Sequence, residues 1–377
     1  VSVYLDHNAT TAVRPEAAAA MAEVMASPGN PSSVHAAGRA ARARLERARE
    51  DVAALIGAPA STVVFLSGGT EADALAVRSA VAAGARRLIV SAQEHDAVRD
   101  GAAMTGAEVE IWPVRADGTA DLDWLSERLG RWDSADGRPF VALMLANNET
   151  GVIQPVAAAA ETVRAHDGWL HVDAVQAAGK IPVDSRALGA DTLAVSAHKL
   201  GGPQGVGALT FGPRASLVRL QHGGGQERGR RGGTENLPGV AGFGAAARIA
   251  LAEPEAVARN APWRDAAAAR LKALGAVVIG QDALRLGNTL NVATAGWSAE
   301  RQVMALDLAG VMVSAGAACS SGKVKASPVL EAMGLGDLAG CGIRVSGGWT
   351  TTEQDWARFV DAWTDAHARH QRLEKAA

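Results

Sequence analysis

The stretch Trp169-Leu170-His171-Val172-Asp173-Ala174-Val175-Gln176 starts as an apolar run and turns polar at an acid. Further on, Thr192-Leu193-Ala194-Val195-Ser196-Ala197-His198-Lys199 does the same and ends on a lysine. Short apolar runs of this length, closed by polar residues, are the pattern of buried strands. Working outward, strands are predicted at 62–66, 87–91, 108–114, 140–146, 169–172, 192–195 and 206–211. Helices are predicted between them at 71–83, 95–104, 122–129 and 156–166. Strands alternating with helices imply a largely parallel sheet covered on both faces. Ligands of such sheets gather beyond the carboxyl ends of the strands. Asp173 and Lys199 are therefore expected at one site, on neighbouring strands.

The predicted strand ending at Leu66 adds a third element. It runs into Ser67-Gly68-Gly69-Thr70-Glu71 and then a helix. Glycines let backbone N–H groups approach an anion, and a helix N-terminus favours one electrostatically. Alone, this stretch reads first as an N-capped helix after a Gly turn. A lysine, a carboxylate and an anion loop together are what pyridoxal 5'-phosphate (PLP) needs. The lysine forms the Schiff base, the loop takes the phosphate, and the carboxylate keeps the pyridine nitrogen protonated. Ser196-Ala197-His198-Lys199 also fits the S-x-x-K pattern of serine acyl hydrolases. The S-D-N and K-T-G strings that accompany it in those enzymes do not occur here.

Composition narrows the alternatives. The chain has 377 residues, 48% hydrophobic and 20% charged, with a net charge of −3. That is a folded protein with a sizeable core, without the charge excess that would draw nucleic acid. No apolar run reaches the roughly 18–20 residues of a membrane span. The first residues, Val1 to His7, do not read as a signal peptide, so a cytoplasmic protein is expected. Cys319 and Cys341 make no disulfide framework and no zinc-type pair. His95, His171 and His198 with Asp173 match no metal-ligand spacing, so no metal is expected. Past residue 250 the texture changes to an alanine-rich charged helix reaching 274, strands at 276–279 and 289–292, and further helices. The expected division is a large domain at 12–250 and a smaller α+β domain at 251–377, with residues 1–11 packed on the latter.

Motifs spread over the whole chain carry a resemblance. They are Tyr4-Leu5-Asp6 with Asn8-Ala9-Thr10-Thr11, Gly29-Asn30-Pro31-Ser32-Ser33 with His35, the Ser67 to Glu71 loop, and Asn147-Asn148-Glu149-Thr150-Gly151. Next come Val172-Asp173-Ala174 with Gln176, Ser196-Ala197-His198-Lys199, and Gly223-Gly224-Gly225-Gln226-Glu227-Arg228 running to Gly233-Thr234-Glu235-Asn236. The last are Gly316-Ala317-Ala318-Cys319-Ser320-Ser321-Gly322 and Ile343-Arg344-Val345-Ser346. In this order they resemble the NifS/IscS-type cysteine desulfurases, in the class V aminotransferase branch of PLP fold type I. The resemblance implies an α/β fold whose large domain carries a mainly parallel seven-stranded sheet, with a smaller α+β domain.

It also implies functions for residues. Lys199 resembles the Schiff-base lysine, Asp173 the partner of the pyridine nitrogen, and Gln176 a contact of the ring's phenolic oxygen. His95 would stack on the ring and help move protons. Gly69, Thr70, Ser196 and His198 would hold the phosphate, and Thr234 would reach it from the other subunit of a homodimer. The arginines Arg228, Arg230 and Arg231 near it are then an interface loop. Asn148 and Arg344, with Asn8, would bind the carboxylate of the substrate L-cysteine. Cys319 would take the substrate sulfur as a persulfide, whereas Cys341 is read as a packing residue. The stretch around Cys319 is similar to the branch of the family that hands the persulfide to an external acceptor protein, such as an iron–sulfur scaffold. Departures are Lys323-Val324-Lys325 just past the nucleophile and Gly347-Gly348-Trp349-Thr350 after Arg344. A selenocysteine lyase is the nearest alternative within the same chemistry.

Overall fold

The computed structural model describes residues 2–316 and 326–376. A short strand, β1 (Val3–Tyr4), precedes the main sheet. That sheet is built from β2 (Val63–Leu66), β3 (Arg87–Ser91), β4 (Glu108–Trp112), β5 (Phe140–Ala142), β6 (Trp169–Asp173), β7 (Thr192–Ser196) and β8 (Gly207–Phe211). Across the sheet the order is β2-β8-β7-β6-β5-β3-β4. β8 runs against both its neighbours, and the remaining pairs are parallel. Every residue of β5, β6 and β7 is buried, which is why they read as continuous apolar runs. Alternate residues feed opposite faces. Phe65, Ile89, Val141, Leu170 and Leu193 join one apolar cluster, while Leu88, Val90, Phe140 and Trp169 join another.

The predicted strand at 140–146 stops pairing on one side at Ala142 for an identifiable reason. Leu143 N and Leu145 N still bond His171 O and Asp173 O on β6, at 3.1 and 2.8 Å. On the other side Met144 N donates to the Glu94 carboxylate (2.6 Å) instead of to β3. The predicted helix to 274 is likewise interrupted. Helix Leu237–Ala252 ends before Pro254, a single turn Glu255–Ala258 follows, and helix Asn260–Ala273 completes it. A proline lacks the N–H that would continue the ladder across that point.

A second sheet has the order β12-β13-β10-β9, from β9 (Val277–Val278), β10 (Thr289–Ala293), β12 (Ser314–Ala315) and β13 (Gly342–Ser346). β11 (Val311–Met312) pairs in parallel with β1. Val3 and Leu5 therefore share an apolar cluster with Leu290, Ile343, Trp356 and Trp363. Asp6 bridges to Ser346, so the chain enters the site from the second sheet.

The open edge of the main sheet is closed by a buried ion pair. Arg49 Nη1 and Nη2 meet the two Glu227 carboxylate oxygens at 2.7 and 2.9 Å. Arg49 also donates to Val63 O, and Phe65 N donates to Glu227, both at 2.9 Å. Two groups of edge strand β2 are thus satisfied by side chains, which removes them as a template for another strand. The geometry holds Glu227 and Arg228 at φ 47° and 55°, in the left-handed region. Glu227→Ala would leave a buried guanidinium without its carboxylate, and is expected to cost about 3–5 kcal/mol in urea unfolding. A loss below about 1 kcal/mol would show that the pair does not hold this edge.

Candidate functional site

Strand ends of the main sheet converge on one cavity of about 260 Å³. β6 brings Asp173, with Val175 and Gln176 just beyond it; β7 brings Ser196, followed by His198 and Lys199. The turn after β2 brings Gly69 and Thr70, and the loop after β3 brings His95. Asn148 completes the set expected from sequence, while Asp73 and Met144 line the cavity unforeseen. Asp73 had a signal, since it lies one helical turn after Thr70. Met144 had none, because its exposure to the cavity follows from the split pairing described above.

The cavity has a defined anion end. Helix Gly69–Ala82 starts at Gly68 without a side-chain cap, which leaves its first-turn N–H groups for a ligand. The turn lies flat on β8, where a Cβ on Gly207 would come within 2.5 Å of Gly68 C. A neighbouring cavity shares Gly69, Thr70, Ser196 and His198 and opens past Gln204 and Gly205. His198 Nδ1 lies 3.2 Å from Thr10 Oγ1. Burial, then Lys199 and Lys180, lower its pKa to about 4, so it meets an anion as a neutral ring.

The opposite end is acidic and buried. Val175 N donates to Asp173 Oδ1 at 2.8 Å. Burial raises the Asp173 pKa, and Asp73 adds to the effect. Asp73, itself raised by burial, lies 3.1 Å from His171 Nε2. Glu94 is also raised, first by burial and next by Asp173, and its Oε2 has no partner among the described residues. Buried carboxylates that resist ionisation are stabilised by a cation placed between them. The donor set therefore fits PLP, with a pyridine nitrogen to protonate at one end and a phosphate at the other.

Lys199 lies between these ends. Its Nζ donates to Asn8 O (2.6 Å) and Ala9 O (2.8 Å). Burial, then Arg344, lower its pKa to about 8, against the opposing pull of Asp173 and Asp6. His95 Nδ1 accepts from Ala97 N at 3.1 Å, which puts the proton of the neutral ring on Nε2.

Arg344 and Asn8 stand just behind the lining. Arg344 Nη2 pairs with Asp6 at 2.7 Å and Nη1 donates to Asn148 O at 3.2 Å, while Nε is buried without a partner among the described residues. Glu149 was not foreseen as a site residue. Its Oε2 accepts from Ser327 Oγ at 2.6 Å and lies where a Cβ on Gly316 would fall. Thr234 is not in the cavity; it lines a separate one of about 250 Å³ with Ser67, Gly205 and Arg231. Cys319 lies outside the described residues. Cys341 is buried, with its thiol directed at Asp337 O.

A lysine, a carboxylate and a helix-capping turn at the ends of parallel strands define a PLP-binding α/β protein. The chain belongs to the aminotransferase class-V family, which it matches over residues 3–359, and enzymes of this family depend on PLP. Among its relatives, a cysteine desulfurase of Cereibacter sphaeroides is 42% identical, over 93% of this chain and 92% of that protein. An IscS-like cysteine desulfurase of Mycobacterium tuberculosis is 38% identical over 99% and 98%. The crystal structure of a NifS-like protein from Rickettsia africae superposes with a TM-score of 0.90 at 29% identity, covering 98% of this chain and all of that one.

The lowered Lys199 pKa has a signed consequence. Between about pH 8 and the ordinary lysine value the unfolded chain holds a proton that the folded one lacks, so the PLP-free protein gains stability as pH rises through that window. Only the neutral amine captures an aldehyde. PLP capture by stripped protein should therefore rise with a midpoint near pH 8, and Arg344→Met should move that midpoint upward. A midpoint at the ordinary lysine value would contradict the burial of Lys199.

Proposed function

We propose that Lys199 and Cys319 divide the work of a PLP-dependent cysteine desulfurase, the first moving protons and the second taking sulfur. The chain converts L-cysteine to L-alanine and passes the sulfur to an enzyme cysteine persulfide, the activity its relatives are named for. A related solved structure, at 27% identity and a TM-score of 0.78, is titled SspA in complex with cysteine. The observation that carries the reading is the meeting of Lys199, Asp173 and the Gly69 turn on one cavity.

PLP bound there supplies an electron sink that makes the substrate Cα–H acidic. Gly69, Thr70, Ser196 and His198 would hold its phosphate, Asp173 its ring nitrogen and Gln176 its phenolic oxygen, with His95 against the ring. Lys199 removes the Cα proton as a neutral amine, a form its pKa near 8 makes accessible at neutral pH. Arg344 and Asn148 take the substrate carboxylate, with Asn8, which donates to the Asn148 carbonyl, behind the same pocket. The unpartnered Arg344 Nε is a donor such an anion would satisfy. The Cys319 thiolate then attacks the substrate sulfur: an S–S bond forms, the C–S bond breaks, and its electron pair returns to the carbon side. Protonation of that carbon skeleton leads to alanine.

A homodimer completes the site in this reading, with Thr234 reaching the partner's phosphate end. The persulfide goes on to an acceptor protein, such as an iron–sulfur scaffold, in the cytoplasm. No helix among the described residues is long and apolar enough to cross a membrane.

Purified protein given L-cysteine should yield alanine and persulfide. Cys319→Ala should keep PLP and its spectral response to L-cysteine yet lose both products by at least a hundredfold, a loss of about 2.7 kcal/mol or more in barrier terms. Lys199→Ala should stop before any proton moves. Asp173→Asn should retain PLP with turnover nearly abolished. Cys341→Ala should leave turnover intact at a stability cost of about 1–2 kcal/mol. Alanine production by Cys319→Ala, or a persulfide mapped to Cys341 by mass spectrometry, would displace the nucleophile. Sedimentation is expected to show a dimer; a fully active, PLP-saturated monomer would remove Thr234 from the site.

A further inference from the structure

Lys180 has no part in the chemistry above, yet it is only 9% exposed and adjoins the site. Its Nζ donates to Asn8 Oδ1 at 2.7 Å and to Gln176 Oε1 at 2.6 Å, and neither acceptor is charged. Burial, then Lys199 and Arg344, push its pKa well down, toward a neutral amine. The two acceptors fix the direction of two of its N–H bonds.

Gln176 lines the cavity, and its side-chain amide has two ends of opposite character. Oε1 accepts from Lys180, while Nε2 donates to Asn8 O at 2.9 Å. Reversing the amide would set its oxygen against the Asn8 carbonyl, which has no proton to give, and take from Lys180 Nζ the acceptor it now uses. Asn8 cannot relieve this by turning its own amide. Its Oδ1 also accepts from Asn288, and its Nδ2 donates to Asn148 O and Thr289 Oγ1.

We propose that Lys180 is a positioning residue that locks the Gln176 amide so that its remaining N–H, not its carbonyl, serves the cavity. The locked donor selects a ligand with a hydrogen-bond acceptor at that point and discriminates against one that presents a donor. Resting on the PLP reading above, the acceptor is the ionised phenolic oxygen of the pyridine ring. A donor to that oxygen stabilises its ionised form and lowers the pH at which the bound chromophore loses its proton.

The test compares PLP-loaded wild type with Lys180→Met, Lys180→Arg, Gln176→Met and the double variant Lys180→Met/Gln176→Met. Two quantities are read: the pH midpoint of the visible absorbance, and the rate at which PLP dissociates during dialysis. Lys180→Met and Gln176→Met should each raise the midpoint by about one unit, a tenfold change in the proton equilibrium. Each should also speed PLP loss several-fold. The double variant should shift no further than Gln176→Met, because both changes remove one interaction. Lys180→Arg, which keeps a donor, should recover most of the wild-type midpoint. If Lys180→Met does not fold, Lys180→Gln takes its place in the same comparison. Additive shifts in the double variant, or an unmoved midpoint in Lys180→Met when Gln176→Met shifts, overturn the proposal while leaving the cofactor reading in place. A wild type that takes up no PLP overturns that reading and this proposal with it.

Discussion

The backbone carbonyl of Asn8 receives hydrogen bonds from Lys199 Nζ and Gln176 Nε2, and so ties the two chemistry-bearing strand ends to the first residues of the chain. Its side chain reaches Lys180 and Asn148 on one side and Asn288 and Thr289 on the other. Its N–H donates to Ser346 Oγ. One short residue therefore joins the ends of the main sheet to strands β10 and β13 of the second. Each bond is modest in net worth, about 0.5–1.5 kcal/mol, but unmaking any one of them strands a buried polar group.

Around that joint the charges are arranged for something the polypeptide itself lacks. Asp173, Asp73 and Glu94 are buried close enough to resist ionising, and Lys199 and His198 are shifted toward their neutral forms. A group that is positive at one end and negative at the other relieves both strains, the first at Asp173 and the second at the turn beginning at Gly68. Affinity for PLP and readiness of Lys199 for proton transfer thus share one cause, the burial of the groups that line the cavity.

The second sheet contributes by position. β13 carries Arg344 next to Asp6 and Asn148, and Glu149 holds Ser327 and faces Gly316. The described residues on either side of the Cys319 stretch are in this way referred to the loop that carries Asn148. A buried pair at the far edge, Arg49 with Glu227, closes the main sheet and sets the course of the glycine-rich segment leading to Thr234.

The order of strands and helices in the main sheet was legible in the sequence, because a strand buried on both faces leaves an uninterrupted apolar run and the polar residue that ends it marks its carboxyl end. Lys199, Asp173 and Gly69 could be read for that reason, and local pattern also carried Thr70, whereas His95 came only from the family resemblance. Met144, Glu94, Lys180 and the Arg49–Glu227 pair could not. Each acts across a gap in sequence: Glu94 takes a backbone N–H fifty residues on, and Lys180 meets an asparagine 172 positions earlier. Periodicity records which face a residue shows to the core, not which partner waits there. Sequence alone determined the sheet, its polar end and the chemistry of the groups delivered to it. The tertiary structure decided which buried groups lack a counter-charge and which way each amide points, because desolvation and hydrogen-bond geometry exist only once distant segments have met.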